Sequence, residues 1–231
     1  MKKLGLIGGV GPEATIPYYH GIVYGVQKKM NQPYFPPLVI ESLSCFEVIR
    51  MSSENDRKGL TEYLLAGIRN LAAAGAEVGA LACNTGHMVF DELQKQSPIP
   101  LVSIVETACA EAKRQGFKKV GLFGTAATME DDYFKTPFQK AGIAVAVPEA
   151  ADRAYIADHI LNELELGIVK EETAKTFIEI AEKMVREQGI EALVLGCTEL
   201  PLLFNGRTLS IPTLDTMQLH IQALVNTVFE A

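Results

Sequence analysis

The sequence predicts an α/β protein made of two pseudo-symmetric parallel-sheet domains that arose by internal duplication. Three observations predict it. Short apolar runs alternate with amphipathic stretches along the whole chain, the pattern of a layered α/β fold. The runs are apolar on both faces, as parallel strands covered by helices are. Finally, the chain repeats itself. KKLGLIGGVG at Lys2 returns as KKVGLFGTAAT at Lys118, an offset of 116; IPLVSIVETA at Ile99 returns as IPTLDTMQLH at Ile211, an offset of 112. Between these anchors, GAEVGALACNT and QGIEALVLGCTE place Cys83 and Cys197 in near-twin contexts, 114 residues apart.

Taken in order, the strand candidates are Leu4–Gly8, Leu38–Ser42, Val78–Ala82, Leu101–Ile104, Val120–Gly124, Ala144–Val147, Leu193–Gly196 and Thr213–Asp215. Helical periodicity marks Arg57–Ala74, Val105–Gln115, Arg153–Leu166, Glu171–Glu187 and Met217–Phe229 between them. The repeat divides the chain into a first Rossmann-like domain, residues 1–98 plus 211–231, carrying Cys83. Residues 99–210 form the second and carry Cys197. Ligands of such sheets bind beyond the carboxyl ends of the strands, and the residues of chemical interest fall there.

Composition narrows the function classes. The 231 residues are 48% hydrophobic and 21% charged, with a net charge of -7 and no basic cluster. That balance disfavours nucleic acid and anionic membrane as partners. No apolar run approaches the ~20 residues of a membrane helix. The start, MKKLGLIGGVG, is glycine-broken and followed by Pro12 and Glu13, so it reads as a first strand and not as a signal peptide. A cytoplasmic protein is expected. Of the four cysteines, none has CxxC or Cys/His zinc spacing, so no metal is expected, and disulfides are not predicted.

The loop Gly8–Thr15 follows the first strand and opens a helix, with Pro12 suited to the first turn. Gly9-x-Gly11-x-x-Ala14 matches a dinucleotide fingerprint, and Glu41 ends the second strand where a ribose-binding acid would lie. Against this, Pro12 removes an N–H from a phosphate-cradling turn. Two alternatives stand beside it: a tight turn without ligand, and backbone N–H groups around Val10 and Gly11 that hold a small anion such as a carboxylate.

A lone cysteine after an apolar strand is ordinarily a small buried hydrophobe. Two at equivalent repeat positions, each leading into polar residues, point instead to a pair of acid/base groups. A thiol at a strand end near a helix N-terminus is expected to ionise below about 8.5. Asn84, Thr85 and Thr198 offer donors for a carboxylate, and Glu199 offers an acceptor for an ammonium or hydroxyl. His87, four residues after Cys83, either orients that thiol or plays a structural part. Thr125, in Gly124–Thr128, either lines the same cleft or caps the following helix. Cys45 and Cys109 have no repeat partners and read as packing residues; Glu163/Glu165 and Glu171/Glu172 read as solvated helix faces.

GGVGPEAT near the start, ACNTGH around Cys83, GTAATM and GCTELPLL around Cys197 together resemble the aspartate/glutamate racemase family. These are cofactor-independent enzymes, related to hydantoin racemases and arylmalonate decarboxylases. The resemblance spans essentially the whole chain. It implies an active site in the cleft between the two domains, Cys83 and Cys197 as acid/base catalysts, and no pyridoxal or other cofactor. It also implies a homodimer acting on a small amino acid, with carboxylates held around Val10 and by Asn84, Thr85, Thr198 and Glu199. The sequence departs from the aspartate racemase pattern in its basic residues. Ser52 stands near one expected contact, with Arg50 the nearby cation, and NELELGI offers no lysine before Gly167. The likeness is therefore to the branch with L-aspartate/glutamate-specific and broader-specificity members.

The implied reaction interconverts L- and D-aspartate and/or glutamate by two-base proton transfer at Cα. The alternatives are a broader-specificity or hydantoin racemase, a decarboxylase (which needs one cysteine, not two), and a non-catalytic amino-acid-binding or regulatory protein.

Overall fold

The computed structural model describes residues 1–230, the Pro12 side chain excepted, and shows two parallel four-stranded sheets. The first part runs β1 (Leu4–Gly8), α1 (Pro12–Met30), β2 (Leu38–Ser42), α2 (Cys45–Ser53), α3 (Arg57–Ala73) and β3 (Val78–Leu81). A 3-10 turn (Thr85–Val89), α4 (Phe90–Gln96) and β4 (Leu101–Val102) follow. The second part runs α5 (Ile104–Gln115), β5 (Lys119–Phe123), α6 (Ala126–Glu130), α7 (Lys135–Lys140), β6 (Ala144–Ala146) and α8 (Ala150–Asn162). It continues through a 3-10 turn (Leu164–Leu166), α9 (Glu171–Gln188), β7 (Ala192–Leu195), α10 (Leu200–Phe204) and β8 (Thr213–Asp215), after which α11 (Thr216–Thr227) returns to the first part.

Strand order is β2-β1-β3-β4 in one sheet and β6-β5-β7-β8 in the other, so the two halves share one topology. The compact units are Met1–Ile104 with the chain from Met217 on, and Val105–Thr216. Both crossings fall six residues beyond the ranges read from the repeat, at 104 against 98 and 216 against 210. The reason is strand pairing. Leu101 and Val102 join the first sheet beside Gly79 and Ala80, and Thr213–Asp215 join the second beside Leu193–Leu195. The fourth strand candidate is also shorter than expected, because Ile104 already begins α5.

Central strands are the buried ones. β1, β3 and β7 are buried throughout, whereas edge strand β2 is half-covered. In the first unit, Leu4, Leu6, Val78 and Ala80 pack against Tyr18, Ile22 and Val26 of α1 and Ile221, Leu224 and Val225 of α11. Gly21 lets α11 come close, since a Cβ there would sit 2.8 Å from Ile221 Cγ2. In the second unit, Phe177, Ile180, Ala181 and Met184 along α9 cover Phe123, Leu193 and Leu195, with Ile156 and Ile160 of α8. Each such large side chain contributes about 1.5–3 kcal/mol by leaving water.

Candidate active site

In the first unit Val10 and Gly11 follow the carboxyl end of β1, and Cys83, Asn84 and Thr85 follow that of its neighbour β3. Gly9 takes φ 75°, and a Cβ on it would lie 2.3 Å from the Leu43 carbonyl oxygen, so glycine is required by the close passage of the β2–α2 connection. Gly9 N–H donates to Thr15 Oγ1 at 2.9 Å, and that hydroxyl is 3.1 Å from the Gly11 carbonyl. Glu41 Oε1 accepts from Asn70 Nδ2 at 2.8 Å. Features that suggested a dinucleotide fingerprint thus have internal uses. Val10 is buried beside the loop, and Gly11 (φ 92°) precedes α1.

Cys83 is buried, as is Asn84, and Thr85 is half-buried at the start of its 3-10 turn. His87 is buried too. Its Nδ1 lies 2.9 Å from the Cys83 carbonyl oxygen, and its Nε2 accepts from Ile104 N–H at 3.2 Å. An accepting Nε2 puts the proton on Nδ1, which then donates to the Cys83 carbonyl. Burial lowers the imidazole pKa to about 4, so the ring is neutral. Of the two roles read for His87, the structural one is what the contacts show: the ring ties the backbone of the Cys83 turn to the start of α5. Ser52 is half-buried near the end of α2. Exposed Arg50 is occupied on its own helix, with its guanidinium 2.8 Å from both Glu47 and Glu54.

In the second unit Thr125 caps α6, its hydroxyl accepting from Thr128 N–H at 3.3 Å. The larger cluster follows β7. The Cys197 thiol donates to Glu199 Oε2 at 2.9 Å, and the Thr198 hydroxyl donates to the same oxygen at 2.9 Å. All three residues are buried. Glu165 joins them: its carboxylate, the Cys197 sulfur and the Glu199 carboxylate each offer an atom within 4.8 Å of the others.

Two expectations are corrected here. Burial, then the charges of Glu199 and Glu165, push the Cys197 thiol well above its ordinary range, so it is not an easily ionised thiol. Nor do Glu163 and Glu165 form a solvated face, Glu165 being half-buried. Glu163 is buried, accepting from Lys170 Nζ at 2.8 Å and Thr173 Oγ1 at 2.7 Å. Burial and Glu199 raise Glu165 to about 8. Two carboxyls and a protonated thiol this close make a proton-binding cluster, and an ion seeking a thiolate would first have to displace the proton shared with Glu199.

Comparison with known proteins shows the family. Residues 7–224 match the model of the Asp/Glu/hydantoin racemases. The chain belongs to that family. An aspartate racemase homologue from Pyrococcus horikoshii OT3 superposes with a TM-score of 0.84 at 33% identity, and a candidate Asp/Glu racemase from Yersinia pestis with 0.89 at 32%. Both comparisons cover all of each chain. The broad specificity amino-acid racemase RacX of Bacillus subtilis (strain 168) is 22% identical over 97% of each chain. Among the described residues no helix is long and apolar enough to cross a membrane.

Within this racemase family fold, Cys83 and Cys197 follow β3 and β7. The glutamate of NELELGI is what the sequence reading missed. A Glu-x-Glu run on an amphipathic stretch carries no signal of burial. The absence of a lysine in that segment was the one hint that its chemistry is unusual.

Proposed function

We propose that this protein is a cofactor-independent amino-acid racemase in which Cys83 and Cys197 are the two proton-transfer groups. One observation carries the reading: the two thiols follow β3 and β7, strands that hold the same place in two sheets of identical order. Racemisation needs that chemistry doubled, one group to remove the α-proton and another to return one to the opposite face.

In the forward half, the Cα–H bond breaks and its proton passes to a thiolate at Cys83, forming S–H. The electron pair of that bond moves into the α-carboxylate as an enediolate. The Cys197 S–H proton then forms the new Cα–H bond, leaving Cys197 as thiolate; the reverse reaction exchanges the roles. The raised pKa of Cys197 supports its starting as the acid. Val10, Gly11, Ser52, Asn84, Thr85, Thr125 and Thr198 are the proposed substrate contacts, with Glu199 positioned on Cys197. Their N–H and hydroxyl donors would stabilise the charge that develops on the carboxylate. No Schiff base is invoked, so pyridoxal is not required. A homodimer in the cytoplasm is part of the same reading.

Aspartate and glutamate are the first substrates to test. A second reading, broader specificity toward amino acids without acidic side chains, is favoured by Arg50 being held by Glu47 and Glu54 and by Glu165 standing beside Cys197.

The decisive experiment incubates L- and D-amino acids, acidic and neutral, with the protein in D2O and follows α-deuteration and chirality. Deuterium entry with inversion supports the proposal; no exchange with any of them removes it.

A further inference from the structure

Glu165 lies outside every motif the proposed reaction uses, yet it is fixed against Cys197. It sits in the 3-10 turn Leu164–Leu166, which is anchored on both sides. Just before it, buried Glu163 is held by Lys170 and Thr173. Just after it, Gly167 at φ 71° closes the turn with its N–H on the Leu164 carbonyl at 2.9 Å. The turn therefore presents Glu165 in one place, with its carboxylate within 4.8 Å of both the Cys197 sulfur and a Glu199 oxygen.

Three proton-binding groups at that separation, two of them buried, repel one another strongly if all carry charge. Glu199 is the natural anion, because the Cys197 thiol and the Thr198 hydroxyl both donate to it. The remaining proton belongs to Glu165. We infer that Glu165 is a positioning residue acting through Cys197: by holding a proton beside Glu199, it limits the cluster to one negative charge and sets the charge against which the thiol must ionise.

The titratable groups facing Glu165 are Glu199 and Cys197, from the β7–α10 segment. From α8 and the start of α9, His159 and Lys170 face Glu163 instead, at 3.9 and 2.8 Å. Among the described residues those two side chains are thus engaged by Glu163, and a second charge in the cluster would stand beside Glu199. Loss of the Glu165 proton, near pH 8, adds that charge beside the thiol. Proton return from Cys197 then becomes a step with an alkaline limit that Glu165 imposes. This consequence for rate rests on the two-cysteine reading; the coupling between Glu165 and the thiol does not.

Two measurements separate the two claims. The first is alkylation of Cys197 by iodoacetamide, followed by peptide mass spectrometry from pH 7 to 10, since only thiolate reacts appreciably. Glu165→Gln should expose roughly tenfold more thiolate at a fixed pH above 8. Glu165→Leu should do the same, and Glu165→Asp, which keeps the charge, should restore the slower wild-type profile. The second is the pH profile of racemisation. The alkaline limb near pH 8 should move upward by about a unit in Glu165→Gln and Glu165→Leu, whatever the height of the profile, and persist in Glu165→Asp. An unchanged Cys197 alkylation profile in folded Glu165→Gln and Glu165→Leu overturns the inference. A shifted alkylation profile in a protein that exchanges no α-proton would leave the inference standing and remove the racemase proposal.

Discussion

The Cys197 thiol donates a 2.9 Å hydrogen bond to Glu199 Oε2, two residues along the chain and equally buried. That contact makes Cys197 a proton donor at rest, because ionising it would set two anions side by side in a site with little water to separate them. Glu199→Gln removes the charge and keeps the size. The expected result is a faster Cys197 alkylation at pH 8 together with slower racemisation, since the thiol is then less firmly held as an acid. Unaltered alkylation would contradict the role given to this contact.

Replacing either proposed proton-transfer group should end racemisation. Cys83→Ser and Cys197→Ser are each expected to lose roughly 100- to 10,000-fold in rate, the range ascribed to a positioned acid or base. Chiral chromatography reads the product. Wild-type rates in either variant would sink the two-base assignment.

Two buried imidazoles predict a pH dependence of stability. Burial lowers His87 to about 4 and His220 to about 3. His220 is held by the Tyr18 hydroxyl at 2.7 Å and the Val102 carbonyl at 3.0 Å. Unfolded histidines titrate near 6.5. Above that value both are neutral in either state and cost nothing. As pH falls below it the unfolded chain binds protons first, so stability drops until the folded values are reached. His87 alone accounts for a loss on the order of 3 kcal/mol across that window. Urea midpoints should fall from pH 7 through 5.5 to 4.5, and the His87 and His220 imidazoles should stay neutral by NMR at pH 5.

Gly9→Ala tests whether the first loop is built by packing. The added Cβ meets the Leu43 carbonyl at 2.3 Å and strains a φ of 75°. A loss of at least about 1–3 kcal/mol is expected, visible in the urea midpoint. A stability equal to wild type would mean that the β2–α2 connection yields freely there.

His87→Ala should leave the Ile104 N–H and the Cys83 carbonyl without their ring partner. The expected cost is about 0.5–1.5 kcal/mol for each hydrogen bond lost. Racemisation should fall only as far as the Cys83 turn loosens. A change in the pH optimum would point instead to a titrating role for His87.

The sequence by itself determined the alternation of strands and helices, the duplicated halves and the two cysteine turns. These are local properties: apolar runs specify buried parallel strands, and repeated motifs specify repeated topology. It also contained the two thiols' surroundings as far as the next two residues. Thr198 and Glu199 thus stood out as polar groups, read as a carboxylate donor and an acceptor for an ammonium or hydroxyl rather than as partners of the thiol. Tertiary structure decided what depends on residues distant in the chain. Val102 and Leu214 are equivalent in the repeat, yet pairing with β3 and β7 set which sheet each completes. A Glu-x-Glu stretch reads as a solvated face until folding brings Lys170 and Thr173 to Glu163 and Cys197 to Glu165. The protonation of Cys197 followed the same rule. A strand-end position near a helix predicts an acidic thiol, whereas burial beside two carboxylates produces a weakly acidic one, because charge density and desolvation are set by the neighbours that folding assembles.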